Sequence, residues 1–192
     1  MGEHFCYVGS HANANVALFA IDSLRQLADK FLLKEEYASM NFQKHFLKPF
    51  ETIMLNNLHT RSDIKEFIVM CVTRICQSKT SHIHSAWSVI INIFTLAAQD
   101  TEGMLVTQTF QALQSVVKNH FELLESDFVE LVNCITKYAN NGLFPAQAVL
   151  AQELLCVCAE KLQTGRIVAT FVQKCGKAFF NSDQENMVSY PL

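Results

Sequence analysis

The stretch Phe46–Ile53, FLKPFETI, carries its bulkiest apolar side chains at positions 46, 50 and 53. Spacings of three and four residues place these side chains on one face of an α-helix. The same pattern recurs 41 residues later in WSVIINIF, at 87–94, and 41 residues later again in FVELVNCI, at 128–135. A repeated amphipathic helix predicts a fold assembled from copies of one structural unit.

A second apolar helix pattern lies between these stretches and repeats with the same period. Its triplets are Val69, Val72 and Ile75; Phe110, Leu113 and Val116; and Ala151, Leu154 and Val157, with a related triplet 48 residues upstream at Ile21, Leu24 and Leu27. Two helices in a unit of about 40 residues are typical of HEAT and armadillo solenoids. Pro49 resembles the kinking proline of HEAT first helices, and it favours the HEAT form.

No alternating run of strand length occurs, so the predicted class is all-α, a HEAT/armadillo-like α-solenoid of about eight helices. The helices are expected near 13–33, 42–56, 61–78, 83–98, 103–120, 126–140, 145–163 and 166–180. We expect residues 1–192 to form a single α-solenoid segment with full repeats at 42–78, 83–120 and 126–163.

The two ends of the chain depart from the repeat pattern. Helix 13–33 is expected to be an orphan second helix whose partner lies outside the chain, which would leave an apolar edge near Phe5, Tyr7 and Phe19. The last helix, 166–180, fits the period poorly and is expected to act as a C-terminal cap.

Composition excludes several classes of function. The net charge is -3 and the Lys and Arg residues are scattered, so no basic field is available to attract nucleic acid. No apolar run approaches the roughly 18 residues of a membrane-spanning helix, and the mixed polar faces suit membrane contact only through other proteins. The seven cysteines mostly lie within apolar helical pattern, which is typical of reduced thiols in a cytoplasmic protein.

The sequence offers no assembled chemistry. It contains neither a G-x-S-x-G elbow for a nucleophile nor a glycine cluster that could cradle phosphate. Cys156 and Cys158 diverge on a helix, and His82 and His84 lack further ligands nearby in sequence. We therefore expect a chain that is not an enzyme, with no catalytic residue, no cofactor and no metal.

The candidate functional residues are polar positions on the second helices, which line the concave side of a HEAT solenoid where partners commonly dock. Asp22 and Arg25 lie one turn apart and are expected to form an ion pair on the helix surface. Arg25 is expected to reach either the next repeat near Thr73, as a ladder contact, or an acidic partner surface, and the ladder is the favoured alternative. The residues expected to bind protein are Asp22, Arg25, Thr73, Gln111, Gln114 and Gln152.

Three segments carry a family resemblance. VALFAIDSLRQLADKFL at 16–32, FQKHFLKPFETIM at 42–54 and HSAWSVIINIFTLAAQD at 84–100 resemble, in order and spacing, a region of the large Golgi ARF guanine nucleotide exchange factors of the brefeldin A-inhibited type. That region follows the catalytic domain and corresponds to the first domains named for homology downstream of it. The resemblance covers roughly residues 4–160.

The resemblance implies a cytoplasmic protein that is recruited to trans-Golgi or endosomal membranes and activates ARF GTPases in vesicle trafficking. Exchange in that family belongs to a separate helical domain with an F-R-L-P-G-E-like loop, which this chain lacks. We therefore expect a non-catalytic regulatory segment whose partners are an activated ARF-type small GTPase, other domains of the same exchange factor or a second copy in a homodimer. The alternative is a HEAT-repeat scaffold of a coat, adaptor or nuclear transport protein.

Overall fold

A computed structural model of the chain describes residues 2–33, 41–57 and 61–164, and it contains helices joined by short turns. No strand occurs within these ranges, which confirms the prediction of an all-α, solenoid-like fold. Two 3-10 turns, Thr80–His82 and Phe121–Asp127, precede two of the helices. The α-helices are α1 (Gly2–Gly9), α2 (Ala14–Phe31), α3 (Phe42–Asn56), α4 (Ser62–Lys79), α5 (Trp87–Ala97), α6 (Gly103–Asn119), α7 (Phe128–Ala139) and α8 (Pro145–Thr164).

The helices pack in two layers because each one contacts the helix two places along the chain. Helices α1, α3, α5 and α7 contact one another in that order and form the first-helix layer. Helices α2, α4 and α6 do the same and form the second-helix layer. The alternation of the two repeating patterns in the sequence is therefore matched by an alternation of layers.

Large apolar side chains from the repeated triplets fill the space between the layers. Phe50, Trp87, Phe94 and Phe110 are each exposed by no more than 2%. Tyr138 on α7 is also buried, and its hydroxyl donates to the Phe94 carbonyl at 3.0 Å and hydrogen-bonds with a threonine hydroxyl of α6 at 2.7 Å. Burial raises the pKa of this tyrosine well above its ordinary value. A buried phenol is thus satisfied by groups on two neighbouring helices, as a packed interior requires.

Helix α1 corrects the expectation of an orphan helix at 13–33. It packs against both α2 and α3, so α2 has a first-helix neighbour within the chain. The close approach depends on Gly9, where an added Cβ would lie 2.4 Å from Cδ1 of Ile53. The segment GEHFCYVG is short and has glycine at both ends, so its periodicity is too weak to predict a helix from sequence.

The remaining helix bounds agree with the predicted ones within a few residues, apart from α5, which begins at Trp87 instead of 83. The chain divides into two compact units, Met1–Leu155 and Cys156–Leu192, where the sequence predicts one segment. The cap helix predicted at 166–180 lies outside the described residues. The arrangement of three repeats and a cap in a single segment therefore stays a prediction.

Candidate interaction surface

The residues predicted to bind protein lie on α2, α4, α6 and α8, and they differ in exposure. Gln111 and Gln152 are exposed, Gln114 is half-buried, and Thr73 is buried. The Thr73 hydroxyl donates to the Val69 carbonyl at 2.7 Å, within its own helix. In the described ranges no hydrogen bond is formed by the three glutamine side chains, so they are available to a partner.

Asp22 and Arg25 form the predicted ion pair on α2. Arg25 Nε and Nη2 lie 2.8 and 2.7 Å from Asp22 Oδ1, and Arg25 Nη1 lies 3.2 Å from Asp29 Oδ2. Gln26 also donates to Asp22, at 2.7 Å. The hydrogen bond from Arg25, followed by that from Gln26, lowers the pKa of Asp22. The hydrogen bond to Asp22 raises the pKa of Arg25.

A polar contact joins α2 to the next repeat between Asp29 and Lys79. Lys79 Nζ on α4 lies 3.3 Å from Asp29 Oδ1 and also donates to the Asp29 carbonyl. Arg25 contacts Asp29 on its own helix. Whether Arg25 makes a ladder contact near Thr73 or a docking contact with a partner stays a prediction.

A buried ion pair that the sequence does not predict joins α4 to the turn before α6. Lys65 Nζ lies 2.6 Å from Asp100 Oδ2, and the side chains are only 7% and 4% exposed. Asp100 Oδ1 also accepts the backbone N–H of Glu102 at 3.1 Å, one residue before α6 begins. Buried charges of this kind need a paired and hydrogen-bonded geometry, which these contacts supply.

The backbone of the two histidines that precede α5 is held by a glutamine side chain of α3. The buried side chain of Gln43 donates to the His82 carbonyl at 2.7 Å and accepts the His84 N–H at 2.8 Å. Both histidine residues are exposed while their backbone is held by α3. Among the described residues no group of three or more His, Cys, Asp or Glu side chains could hold a metal ion.

Two concave features mark the surface of the first unit. A cavity of about 160 Å³, here called the second-helix pocket, lies between α4 and α6 and is lined by Cys76, Gln77, Thr80, Ala112, Ser115, Val116 and His120. A cavity of about 230 Å³, here called the α1 pocket, has apolar walls that include Phe5, Leu24, Phe31, Phe42, Phe46 and Pro49. Gln111 is exposed on α6 one helical turn before Ser115, which lines the second-helix pocket.

The apolar edge predicted at the N-terminal end is present in part. Tyr7 and Phe19 are 77% and 74% exposed, whereas Phe5 is half-buried and contributes to the α1 pocket. Sequence reasoning missed this pocket because its walls come from three helices, and no single helix pattern reports how three helices meet.

Comparison with known proteins shows which protein family the chain is similar to. Residues 30–115 match the Sec7-like HDS family, described as Mon2/Sec7/BIG1-like, HDS. The chain is 38% identical over 164 residues to brefeldin A-inhibited guanine nucleotide-exchange protein 1 of Homo sapiens, an alignment that covers 83% of this chain and 9% of the relative. The chain belongs to this family of large exchange factors.

Similarity to the family extends to plants and fungi. The protein of the same name in Arabidopsis thaliana is 33% identical over 172 residues, 88% of this chain and 10% of the relative. The ADP-ribosylation factor guanine nucleotide-exchange factor sec72 of Schizosaccharomyces pombe is 38% identical over 144 residues, 74% of this chain and 8% of the relative. The chain therefore spans about a tenth of the length of these relatives.

The family match also indicates whether this region is catalytic. The HDS region is a non-catalytic domain of these exchange factors, so this chain is a non-catalytic segment and lacks the exchange domain.

In the part of the chain that the structure describes, no helix combines the length and apolarity needed to cross a membrane.

Proposed function

We propose that this chain is a regulatory, protein-binding segment of a large ARF exchange factor that acts in vesicle trafficking. Its match to the HDS region, which is separate from the exchange domain, is the observation that carries the proposal. The parent protein is cytoplasmic in this proposal and reaches Golgi, trans-Golgi or endosomal membranes through protein contacts. The partner is an activated ARF-type small GTPase or another domain of the same exchange factor.

The binding surface in this proposal is the face of the second-helix layer around the second-helix pocket. Gln77, Gln111 and Ser115 are exposed at or beside the pocket, and their side chains can hydrogen-bond with a partner. Asp22 and Arg25 are instead occupied by contacts within α2, so they support the layer. Exposed polar groups around a pocket that holds one side chain are typical of a specific protein interface.

A binding measurement tests this proposal. The full chain is titrated onto immobilised ARF loaded with a non-hydrolysable GTP analogue or with GDP, and the wild type is compared with the double variant Gln111→Arg and Ser115→Arg. We expect preference for the GTP-analogue form and a loss of affinity of about tenfold or more in the variant, because two bulky charged groups then fill the interface.

The matched control is Asn133→Arg, which adds an arginine at an exposed position on α7 of the first-helix layer. This variant should bind as the wild type does. Equal binding by all three chains would remove the second-helix pocket from the proposal, and equal binding of both nucleotide forms would remove the activated GTPase as the partner.

A further inference from the structure

An exposed stripe runs along α4, the middle helix of the second-helix layer. Helix α4 contacts both α2 and α6, so described helices flank it on both sides. Glu66, Met70, Arg74 and Gln77 are exposed, and their spacings of four and three residues place them on one face of the helix. These four residues are here called the α4 stripe. Gln77 also lines the second-helix pocket, so the stripe leads into the surface proposed to bind a partner.

Met70 is the apolar centre of the α4 stripe. It is 49% exposed, and within the described residues of α4 it is the large hydrophobic residue that faces solvent. Phe67 lies one turn earlier on the same side of the helix and is half-buried, so it extends this apolar area. Methionine is flexible and polarizable, so it adapts to the shape of an incoming apolar group, and it is enriched in protein interfaces.

The stripe carries opposite charges on the two sides of Met70. Glu66 lies four residues before it and Arg74 four residues after it, about 6 Å away in each direction along the helix axis. The two charged residues are thus about 12 Å apart along the axis, too far for a salt bridge with each other. Within the described ranges no ion pair is formed by either side chain.

Carboxylates of the neighbouring helix α2 are occupied by other cations. The charges of Asp22, Asp29, Arg25 and Arg74 all influence the pKa of the buried Cys71 thiol, so these four groups lie around it. Both carboxylates are bound by Arg25, and Asp29 is also bound by the lysine at the end of α4. Three cations therefore share two carboxylates in this part of the described chain, and Arg74 is the cation without a carboxylate of its own.

We propose that the partner of the second-helix layer docks along the α4 stripe, where it places an apolar side chain on Met70, a carboxylate on Arg74 and a basic group on Glu66. This inference rests on the function proposed above and takes the activated ARF-type GTPase as the partner. Contacts around the apolar centre exclude water from the paired charges, and charge complementarity of this kind fixes the register of an interface. The order of the charges along α4 sets the direction in which the partner surface lies on the helix.

Titration of the full chain onto immobilised ARF loaded with the non-hydrolysable GTP analogue tests the apolar contact. Met70→Ala should lower the affinity about tenfold or more, because the apolar side chain of the partner loses its contact. The matched control is Val129→Ala, which truncates a residue that is also 49% exposed, on α7 of the first-helix layer. This control should bind as the wild type does.

Charge reversal in the same assay tests the polar contacts. Arg74→Glu should weaken binding about tenfold or more, and Arg74→Lys should weaken it less, because lysine keeps the charge but not the paired donors of the guanidinium. The double variant Glu66→Arg and Arg74→Glu keeps the net charge but reverses the charge order, so it should also bind weakly. The matched controls, Glu130→Lys and Lys137→Glu, reverse exposed charges on α7 and should bind normally.

The outcomes separate this inference from the function on which it rests. Wild-type affinity in Met70→Ala or in the double charge variant would overturn the inference, and the proposed function would still stand if Gln111→Arg with Ser115→Arg abolished binding. No binding of ARF by the wild-type chain would overturn the proposed function, and the inference with it.

A second copy of the chain is the competing occupant, because two antiparallel stripes would place Glu66 of each copy against Arg74 of the other. Sedimentation of the full chain distinguishes this case. A wild-type dimer that Arg74→Glu dissociates, and that the double variant Glu66→Arg and Arg74→Glu restores, would identify the second copy as the occupant and overturn the proposal. A wild-type monomer that binds ARF with the expected sensitivity to the charge order would support it.

Discussion

Arg25 contacts two carboxylates of its own helix, and the side chains of this network are partly exposed. Those of Arg25, Asp22 and Asp29 are 22%, 35% and 32% exposed. Ion pairs near the surface contribute little to stability because water screens them. The network therefore positions Asp29 for Lys79 more than it stabilises the fold by attraction alone.

Replacing Arg25→Ala should lower the free energy of unfolding by about 1 kcal/mol near neutral pH. Because the folded pKa of Asp22 is lowered, its contribution is complete above its unfolded pKa of about 3.9 and is lost as pH falls through the folded value. The difference between wild type and variant in urea unfolding should therefore shrink toward low pH. A loss that stays constant with pH would contradict this, and Lys137→Ala at an exposed site is the control.

The ion pair of Lys65 and Asp100 differs from the partly exposed Arg25 network, because both of its side chains are nearly inaccessible to water. Asp100→Leu alone should cost about 3 to 5 kcal/mol of unfolding free energy, since it strands a buried ammonium group. The double variant Lys65→Met and Asp100→Leu should recover most of that loss. Urea unfolding of the single and double variants measures the coupling, and additive losses would show that the pair is not coupled.

Residue contacts could be predicted from sequence only within one helix. The Asp22 and Arg25 pair is confirmed because residues three apart on a helix are neighbours by geometry. Lys65 and Asp100 are 35 residues apart, and Gln43 holds a turn 39 residues away, so helical periodicity carries no information about either contact.

Helix α1 sets the geometry of the N-terminal edge through a glycine. Gly9→Val should destabilise the chain by about 1 to 3 kcal/mol, because the new Cβ would lie 2.4 Å from Cδ1 of Ile53 and one of the two must shift. Thermal unfolding measures the effect, and Gly142→Val is the matched control because a Cβ there meets nothing within 4 Å.

Truncating the opposing side chain should compensate for that clash. The combination of Gly9→Val with Ile53→Ala should be less destabilised than the sum of the two single variants, because Ala leaves space for the added methyl groups. If the double variant lost the full sum, or if Gly9→Val unfolded at the wild-type temperature, the contact between α1 and α3 would not be the constraint at Gly9.

At the level of elements, the predicted and observed helices agree where a strong apolar period spans three or more turns. Helix α5 departs from its predicted start because residues 80–82 form a 3-10 turn and Gln43 holds the backbone of the next residues. That backbone conformation depends on a side chain from α3, which no local pattern reveals. Helix α1 departs because two turns bounded by glycine give little periodic signal.

For the whole molecule, the period of 41 residues was sufficient to predict the alternation of helices that the structure arranges in two layers. The same period places Asp22, Arg25 and Gln111 on second helices, but it does not distinguish side chains occupied by intramolecular contacts from those available to a partner. The α1 pocket is likewise a product of three helices meeting. Sequence repetition thus specifies packing faces, while binding surfaces arise where that packing leaves concave features.

The family match and the architecture together predict the behaviour of the isolated chain toward ARF. The chain corresponds to the HDS region and not to the exchange domain, so it should leave the rate of nucleotide release from ARF unchanged within error. Release of a fluorescent GDP analogue from ARF, timed with and without excess chain, measures this, and an exchange domain from a relative serves as the positive control. Acceleration by the chain alone would contradict its assignment as a non-catalytic segment, whereas binding to ARF without acceleration would agree with the regulatory role proposed for it.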